Sequence, residues 1–261
     1  MAGRPLAVVT GASAGIGREL ADILARQGHD LVLVARREGE LKTLAVELEQ
    51  RHGANSTIAA VDLSQPDAAD QVVAAIGADT AVDVLVNNAG FGGHGAFADR
   101  PRTDELRMLA VNVVALTDLT RMLLPGMVAR GRGRVLNVGS TAAFQPGPFM
   151  AVYYASKAYV LSFSQALAEE TRGTGVTVTC LCPGVTTTEF QQVAGVEDVP
   201  LTKGPLSMTA REVAEAAYAG MARGRLIVIP GVHNKVGAQA TRFAPRQVML
   251  RVVRRLHPVD H

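Results

Sequence analysis

Tyr153 and Lys157 stand four residues apart in a stretch with helical periodicity, and Ser140 precedes them. On a helix that spacing puts phenol and ammonium on one face. A free phenol, with a pKa about 10, is a poor acid or base near neutrality. A cation about 4 Å away, at an effective dielectric near 20, favours the phenolate by about 4 kcal/mol, or roughly three pKa units. The pair is therefore expected to bring Tyr153 into a range useful for proton transfer. Ser140 closes the run Arg134-Val-Leu-Asn-Val-Gly-Ser140, where a hydroxyl can hold a carbonyl oxygen. Tyr154 lies three residues before Lys157, so helix geometry alone leaves both tyrosines eligible. Asn112 falls in a long helical pattern, where asparagine is a mediocre helix former and by itself reads as an exposed residue.

The elements that must position these groups begin at the N-terminus. The apolar run Leu6 to Val9 stops at Thr10-Gly11-x-x-x-Gly15-x-Gly17, and the amphipathic stretch Arg18 to Gln27 follows. Strand, glycine turn and helix in that order let backbone approach a pyrophosphate, and the helix N-terminus supplies free N–H groups and positive potential. The spacing differs from the usual G-x-G-x-x-G dinucleotide fingerprint. After the second apolar run comes Ala35-Arg36-Arg37, where a dinucleotide fold meets the adenosine ribose. An acid there would bind a 2′-hydroxyl, whereas the Arg36 guanidinium suits a 2′-phosphate, so NADP(H) is favoured over NAD(H). Ser13 offers a hydroxyl to the same phosphate, and Arg37 reads equally well as a solvated loop residue. Asp62-Leu63 ends the third run, where a carboxylate can accept from the adenine amino group. Asn87-Asn88-Ala89-Gly90 ends the fourth, with small residues for close approach and an asparagine to tie strand ends together.

Around these motifs the chain alternates. Strand-length apolar runs fall at Ala7–Val9, Leu31–Val34, Thr57–Val61, Val82–Val86, Arg134–Val138, Val176–Leu181 and Leu226–Ile229. Helical patterns cover Gly39–Arg51, Pro66–Ile76, Thr103–Ala129, Tyr153–Thr171 and Ala210–Ala222, the last opened by the capping box Thr209-x-x-Glu212. Continuous hydrophobic strands suit a parallel sheet covered on both faces. The expectation is an α/β, Rossmann-like, doubly wound parallel sheet of about seven strands, one domain over 1–261, with ligands at the carboxyl ends of the strands. With 48% hydrophobic residues in 261, one large core is within reach. A net charge of +2 sets up no global field for nucleic acid. Cys180 and Cys182 are the two cysteines, too few for a four-cysteine zinc site and too close in sequence for an unstrained disulfide. Buried, reduced thiols fit a cytoplasmic protein. No run of about 18 uninterrupted apolar residues marks a transmembrane helix.

Taken together these residues resemble the classical short-chain dehydrogenase/reductase family over nearly the whole chain. The marks are Thr10-Gly11-x-x-x-Gly15-x-Gly17, Asn87-Asn88-Ala89-Gly90, Asn112, Ser140, Tyr153-x-x-x-Lys157 and Pro183-Gly184. The resemblance selects Tyr153 as proton donor or acceptor and has Ser140 orient the carbonyl or alcohol. It has Lys157 hold the nicotinamide ribose and lower the tyrosine pKa, and Asn112 hold a water linking Lys157 to solvent. It puts cofactor contacts at Gly11, Ser13, Ile16, Gly17, Arg36, Asp62, Leu63, Asn88, Gly90, Tyr153, Lys157, Thr186 and Thr188. No metal is implied. Homodimers or homotetramers are usual in such a family, and a long helix such as Thr103–Ala129 offers an interface.

Phe91-Gly-Gly-His94, Phe144 to Met150, and Phe190 to Met208 are the candidate substrate-lining segments, mostly apolar, with Lys203 their one cation. They favour a lipophilic ketone or aldehyde, or the matching alcohol, with His94 a loop residue. The basic tail 242–256 puts Val248, Met249, Val252, Val253 and Leu256 on one helical face. That face can pack or dimerise, or lie on an anionic membrane. With Ile229-Pro-Gly231, the tail resembles the DltE-like branch of the family. The expected activity is NADP(H)-dependent hydride transfer between nicotinamide and a carbonyl or secondary alcohol. The rivals are a non-catalytic NADPH-binding sensor or scaffold, an epimerase or dehydratase, and a membrane-surface reductase of lipid intermediates.

Overall fold

The computed structural model describes residues 3–78, 80–196, 207–241 and 243–258. Lys203 and part of the Phe190–Met208 segment lie outside the described residues. The first strand, β1 (Leu6–Thr10), sends Ala7 and Val9 into one apolar cluster and Val8 into another, as strand alternation requires. Helix α1 (Gly15–Arg26), β2 (Asp30–Ala35), α2 (Glu38–His52), β3 (Ser56–Ala60), α3 (Ala68–Ile76) and β4 (Val82–Asn87) follow. Next come α4 (Arg102–Leu109), a π-helical segment Ala110–Ala115, α5 (Leu116–Ala129), β5 (Gly133–Val138), a 3₁₀ turn Thr141–Phe144, α6 (Ala151–Glu170) and β6 (Val176–Leu181). The chain closes with β7 (Thr186–Thr187), α7 (Phe190–Ala194), β8 (Met208–Thr209), α8 (Ala210–Ala222), β9 (Ile227–Val228), α9 (Val232–Ala240) and α10 (Arg246–Leu256).

Seven strands form one parallel sheet in the order β3-β2-β1-β4-β5-β6-β9. The order reverses between β1 and β4, which opens a crevice at the carboxyl ends of the strands. One face of the sheet packs on α1, α2 and α8 through Leu20, Leu24, Leu44 and Val213; the other packs on α3 and α5 through Val72, Leu119 and Met127. Asp22 on α1 meets Arg51 and His52 (2.9 Å each) and Arg211 (2.7 Å), clasping α1 to α2 and α8. Burial works to raise the Asp22 carboxyl, but the hydrogen bonds from His52 and Arg211 and the Arg51 charge outweigh it, and it lies below the usual range. The expected capping box forms: Thr209 Oγ1 accepts from the Glu212 N–H (3.2 Å), and the Thr209 N–H donates to Glu212 Oε2 (2.9 Å).

Two expectations are corrected. The pattern Thr103–Ala129 is not one α-helix, because Ala110–Ala115 widens to a π-turn. A π-turn inserts a residue and swings a side chain off the helix's regular stripe. Here Asn112 turns inward and is 1% exposed, where an α-helical reading by itself made it a surface residue. Helix α1 begins at Gly15 rather than Arg18, with no side chain capping its start. Its first N–H groups are therefore left toward the crevice. The whole Arg102–Ala129 stretch is long and apolar enough, by length and composition, to span a membrane; Met108, Leu119 and Met127 are buried within the protein, whereas Leu106, Val114, Met122 and Val128 are exposed.

Candidate active site

At the crevice floor, the turn after β1 needs its glycines for distinct reasons. Gly11 and Gly15 adopt positive φ (66° and 54°), which suits residues without a Cβ. Gly17 lies behind the turn rather than on the cleft wall. A Cβ there would sit 2.3 Å from the Gly11 carbonyl oxygen and 2.4 Å from Asn88 Nδ2. Asn88 explains the crowding: its Nδ2 donates to the carbonyls of Thr10 (2.9 Å) and Gly11 (3.2 Å). Thr10 Oγ1 in turn accepts from the Asn88 and Ala89 N–H groups (2.9 and 3.0 Å). The end of β4 is thereby tied to the glycine turn, as its asparagine suggested.

One cleft of about 570 Å³ runs along the strand ends. Among the expected cofactor residues, Gly11, Ser13, Ile16, Arg36, Asp62, Leu63, Asn88, Gly90, Thr186 and Thr188 line it, together with Ser140, Tyr153 and Lys157. Arg37 is not merely solvated. It donates to Ser13 Oγ (3.1 Å) and pairs with Glu189 (2.8 Å) across the cleft mouth. Asp62 accepts from the Ser64 N–H and hydroxyl (3.0 and 2.8 Å) and faces Arg107 at 3.7 Å. Burial would raise this carboxyl, but those bonds and the Arg107 and Arg36 charges hold it below the usual range. Arg107 carries a charge at the cleft that sequence reading did not single out. Its position between two helical turns of α4 offered no motif to find it by.

At the other end, Ser140 caps the 3₁₀ turn, its Oγ accepting from the Ala142 N–H (3.1 Å), and lies beside the Tyr153 hydroxyl. Lys157 reaches over the Tyr153 ring, with Nζ 5.8 Å from its centroid, and donates to the Val138 carbonyl (2.8 Å). Gly90 makes room for this: a Cβ would come within 3.0 Å of Asn112 Oδ1 and 3.3 Å of Lys157 Nζ. Asn112 stands behind the cleft wall. Its Nδ2 donates to the Phe91 carbonyl (2.9 Å) and Ser156 Oγ (3.0 Å), and its Oδ1 accepts from the Phe91 N–H (3.1 Å). Ser156 Oγ donates to the Tyr153 carbonyl (2.7 Å), so Asn112 braces the turn of α6 that carries the phenol. A further buried chain escaped sequence reading. Asn87 Nδ2 donates to Asn137 Oδ1 and Thr120 Oγ1 (2.9 Å each), and Asn137 Nδ2 donates to Ser164 Oγ (3.0 Å). Asn137 sits inside an apolar run, where only the folded neighbours reveal its partners.

Tyr153 shifts in the direction opposite to the one its spacing from Lys157 predicts. Burial pushes the phenol up to about 12, with the Ser140 hydrogen bond opposing it. Desolvation acts on both groups and outweighs the lowering that the helical spacing of Tyr153 and Lys157 alone leads one to expect. Lys157 is itself pulled down to about 8 by burial, with the neighbouring thiols of Cys180 and Cys182 working against that. Those two sulfurs are free thiols 3.7 Å apart. A lysine whose folded pKa lies below its unfolded value binds its proton less tightly when folded. The burial cost is full below about pH 8 and fades as pH rises toward the ordinary lysine range. Lys157→Met should therefore stabilise the protein by about 2 kcal/mol near pH 7, after subtracting the lost bond to Val138. Denaturant titrations should show that gain shrinking between pH 8 and 10; a loss of stability at pH 7, or a gain indifferent to pH, would contradict the account.

The expected substrate end of the cleft has Phe91, Met150, Phe190, Val193, Val196 and Leu256 in its wall. Phe144 and Phe149 do not line it; Phe144 packs with Val160 and Leu161 instead. His94 is also off the wall, with its Nε2 buried and unpartnered among the described residues. The C-terminal helix splits its expected apolar face. Met249 and Val253 pack on the cluster that contains Tyr153, while Val248 and Val252 stay 49% and 45% exposed.

Comparison with known proteins agrees with this geometry. A family model described as short chain dehydrogenase matches residues 5–197. The very-long-chain 3-oxoacyl-CoA reductase of Laccaria bicolor is 42% identical over 66% of this chain and 52% of its own length. The chain spans roughly half to three-fifths of the first such relatives. The sulfoacetaldehyde reductase of Chromohalobacter salexigens is 39% identical over 80% of this chain and 85% of its own. Among solved structures, a short-chain dehydrogenase from Sphingobium yanoikuyae in complex with NADPH superposes with a TM-score of 0.83 at 34% identity, covering 98% of this chain and 99% of that one.

Proposed function

The chain belongs to the short chain dehydrogenase family, and from that premise we propose that it is an NADP(H)-dependent reductase of lipophilic ketones or aldehydes, or the matching alcohol dehydrogenase. The observation that carries the reading is the convergence of Ser140, Tyr153 and Lys157 at one end of a cleft whose other end holds the glycine turn, Arg36 and Arg37. Ser140 offers its hydroxyl to the carbonyl oxygen. Tyr153 delivers the proton to that oxygen in reduction and takes it back in oxidation, so charge never builds there unassisted. Lys157 would hold the nicotinamide ribose, and Asn112 would hold a water that links Lys157 to solvent. The crowded glycine turn and the uncapped start of α1 suit a pyrophosphate. The bound nicotinamide would supply or take the hydride.

The preference for NADP(H) rests on Arg36 and on Arg37, which shares the Ser13 hydroxyl and so joins it in reach of a 2′-phosphate. Arg36→Asp is expected to weaken NADPH about tenfold or more and to leave NADH nearly unchanged. Fluorescence titration with both nucleotides measures this; equal effects would remove the 2′-phosphate assignment. The lipophilic class rests on the apolar wall from Met150 to Leu256. Its test is NADPH oxidation in the presence of a panel of lipophilic ketones and aldehydes beside a small anionic aldehyde. Preference for the anionic aldehyde would overturn it, and tight NADPH binding with no turnover across the panel would favour a sensor.

A further inference from the structure

Tyr153 is followed directly by a second phenol on the same cleft wall. Tyr154 lines the chamber with Ser140 and Tyr153, and its ring lies 6.0 Å from that of Tyr153, nearly edge-on at 79°. A free phenol there would be a rival donor for the substrate's carbonyl oxygen. A ketone hydrogen-bonded to it would be turned away from Tyr153 and could not react.

Three groups constrain Tyr154. Gly147 passes so close that a Cβ on it would lie 2.2 Å from Tyr154 Cδ2. The Gln145 side chain lies beside the hydroxyl. The third is His257, 103 residues further along the chain, whose Nε2 lies 2.8 Å from Tyr154 Oη. The two rings meet edge-on, 5.8 Å between centroids. His257 is 3% exposed, and its Nδ1 has no hydrogen-bond partner among the described residues. An apolar side chain of the same size would fill this wall without leaving a nitrogen unpaired. What the imidazole adds is the bond to Tyr154.

The tail is placed to deliver it. Met249 and Val253 of α10 rest on the cluster that contains both tyrosines. The Arg254 guanidinium lies 5.7 Å from the centre of the Phe149 ring, in the loop between Ser140 and Tyr153. Leu256 and His257 then close the substrate end of the cleft.

We propose that His257 is a positioning residue that sequesters the Tyr154 hydroxyl and so leaves the substrate's carbonyl oxygen to Ser140 and Tyr153. This rests on the reading of Tyr153 as the proton donor. Burial, with His94 beside it, pushes the imidazole down to about 4, so the pair is a neutral hydrogen bond at neutral pH.

The experiment compares His257→Leu, Tyr154→Phe and their combination in steady-state assays with a lipophilic ketone. Freeing the Tyr154 hydroxyl creates an unproductive complex, which lowers kcat and KM by the same factor and leaves kcat/KM unchanged. The expected factor for His257→Leu is about fivefold, the worth of one net hydrogen bond. Tyr154→Phe should be close to wild type, and the double variant should recover both constants, since no hydroxyl remains to be freed. His257→Gln, which keeps a hydrogen-bonding group, should also recover them. An unchanged kcat in His257→Leu overturns the proposal, as does a fall in kcat/KM that the double variant does not repair. Should the leucine variant not fold, His257→Phe keeps the ring and carries the same expectations. Tyr153→Phe, assayed alongside, separates the two readings. Turnover surviving that substitution refutes the proton-donor assignment itself, whereas its loss, with no coupled fall in the His257 variants, refutes only the sequestering role.

Discussion

Tyr153→Phe is expected to lower turnover about a thousandfold while NADPH affinity stays close to that of the wild type. The two effects separate because the phenol has two parts with different work. Its ring packs against Phe190 (5.3 Å between centroids) and Tyr154, and lies under the Lys157 ammonium. Phenylalanine keeps all of those contacts, so the wall of the cleft and the seat of Lys157 survive. Only the hydroxyl is lost, and with it the proton proposed to neutralise oxygen as the carbonyl carbon is reduced. The buried phenol, at about 12, is held in its neutral form, which is the form that donates in the reducing direction. Steady-state rates beside nucleotide titration read the two effects independently. Substantial turnover in the variant, or release of the cofactor, would show that the hydroxyl does other work.

Gly17→Ala carries the second large effect, and on a different axis. The added methyl would lie 2.3 Å from the Gly11 carbonyl oxygen, which is backbone and cannot rotate away, and 2.4 Å from Asn88 Nδ2. Relief requires moving the glycine turn or breaking the Asn88 bonds that tie it to β4. Overpacking of this kind costs about 3 kcal/mol, a fall of roughly 6 °C in Tm for a domain of this size. NADPH binding should weaken with it, because the displaced turn is the proposed phosphate floor. Gly39→Ala supplies the control: it sits in α2 with nothing within 4 Å of the added carbon, and there alanine is the better helix former. Thermal melts and nucleotide titration of the two variants should diverge. Similar behaviour of both would show that the turn has slack which the packing does not suggest.

Much of this protein was legible before any coordinates. The alternation of continuous apolar runs with amphipathic stretches specifies a parallel sheet covered on both faces, and the structure realises it with seven strands. The glycine turn and the Tyr153–Lys157 pairing are short-range consequences of residue type and spacing. Such features depend on backbone geometry that a few neighbouring residues dictate. The capping box at Thr209 belongs with them.

What only the tertiary structure decided involves groups brought together from distant parts of the chain, or the loss of water around them. The π-turn that buries Asn112 answers to Phe91 and Ser156, which come from elsewhere in the sequence. The upward shift of Tyr153 follows from desolvation, which helical spacing does not contain. Gly17 proved to be a packing position under Asn88, and Arg37 found Ser13 and Glu189. The half-buried, half-exposed face of α10 was set by the cluster it met. Spacing chose Tyr153 over Tyr154 only through family resemblance, whereas the fold separates the two phenols physically, by carrying His257 to the second of them. A contact across 103 residues has no local signature, because it exists only once the core has closed and the C-terminal helix has found its seat.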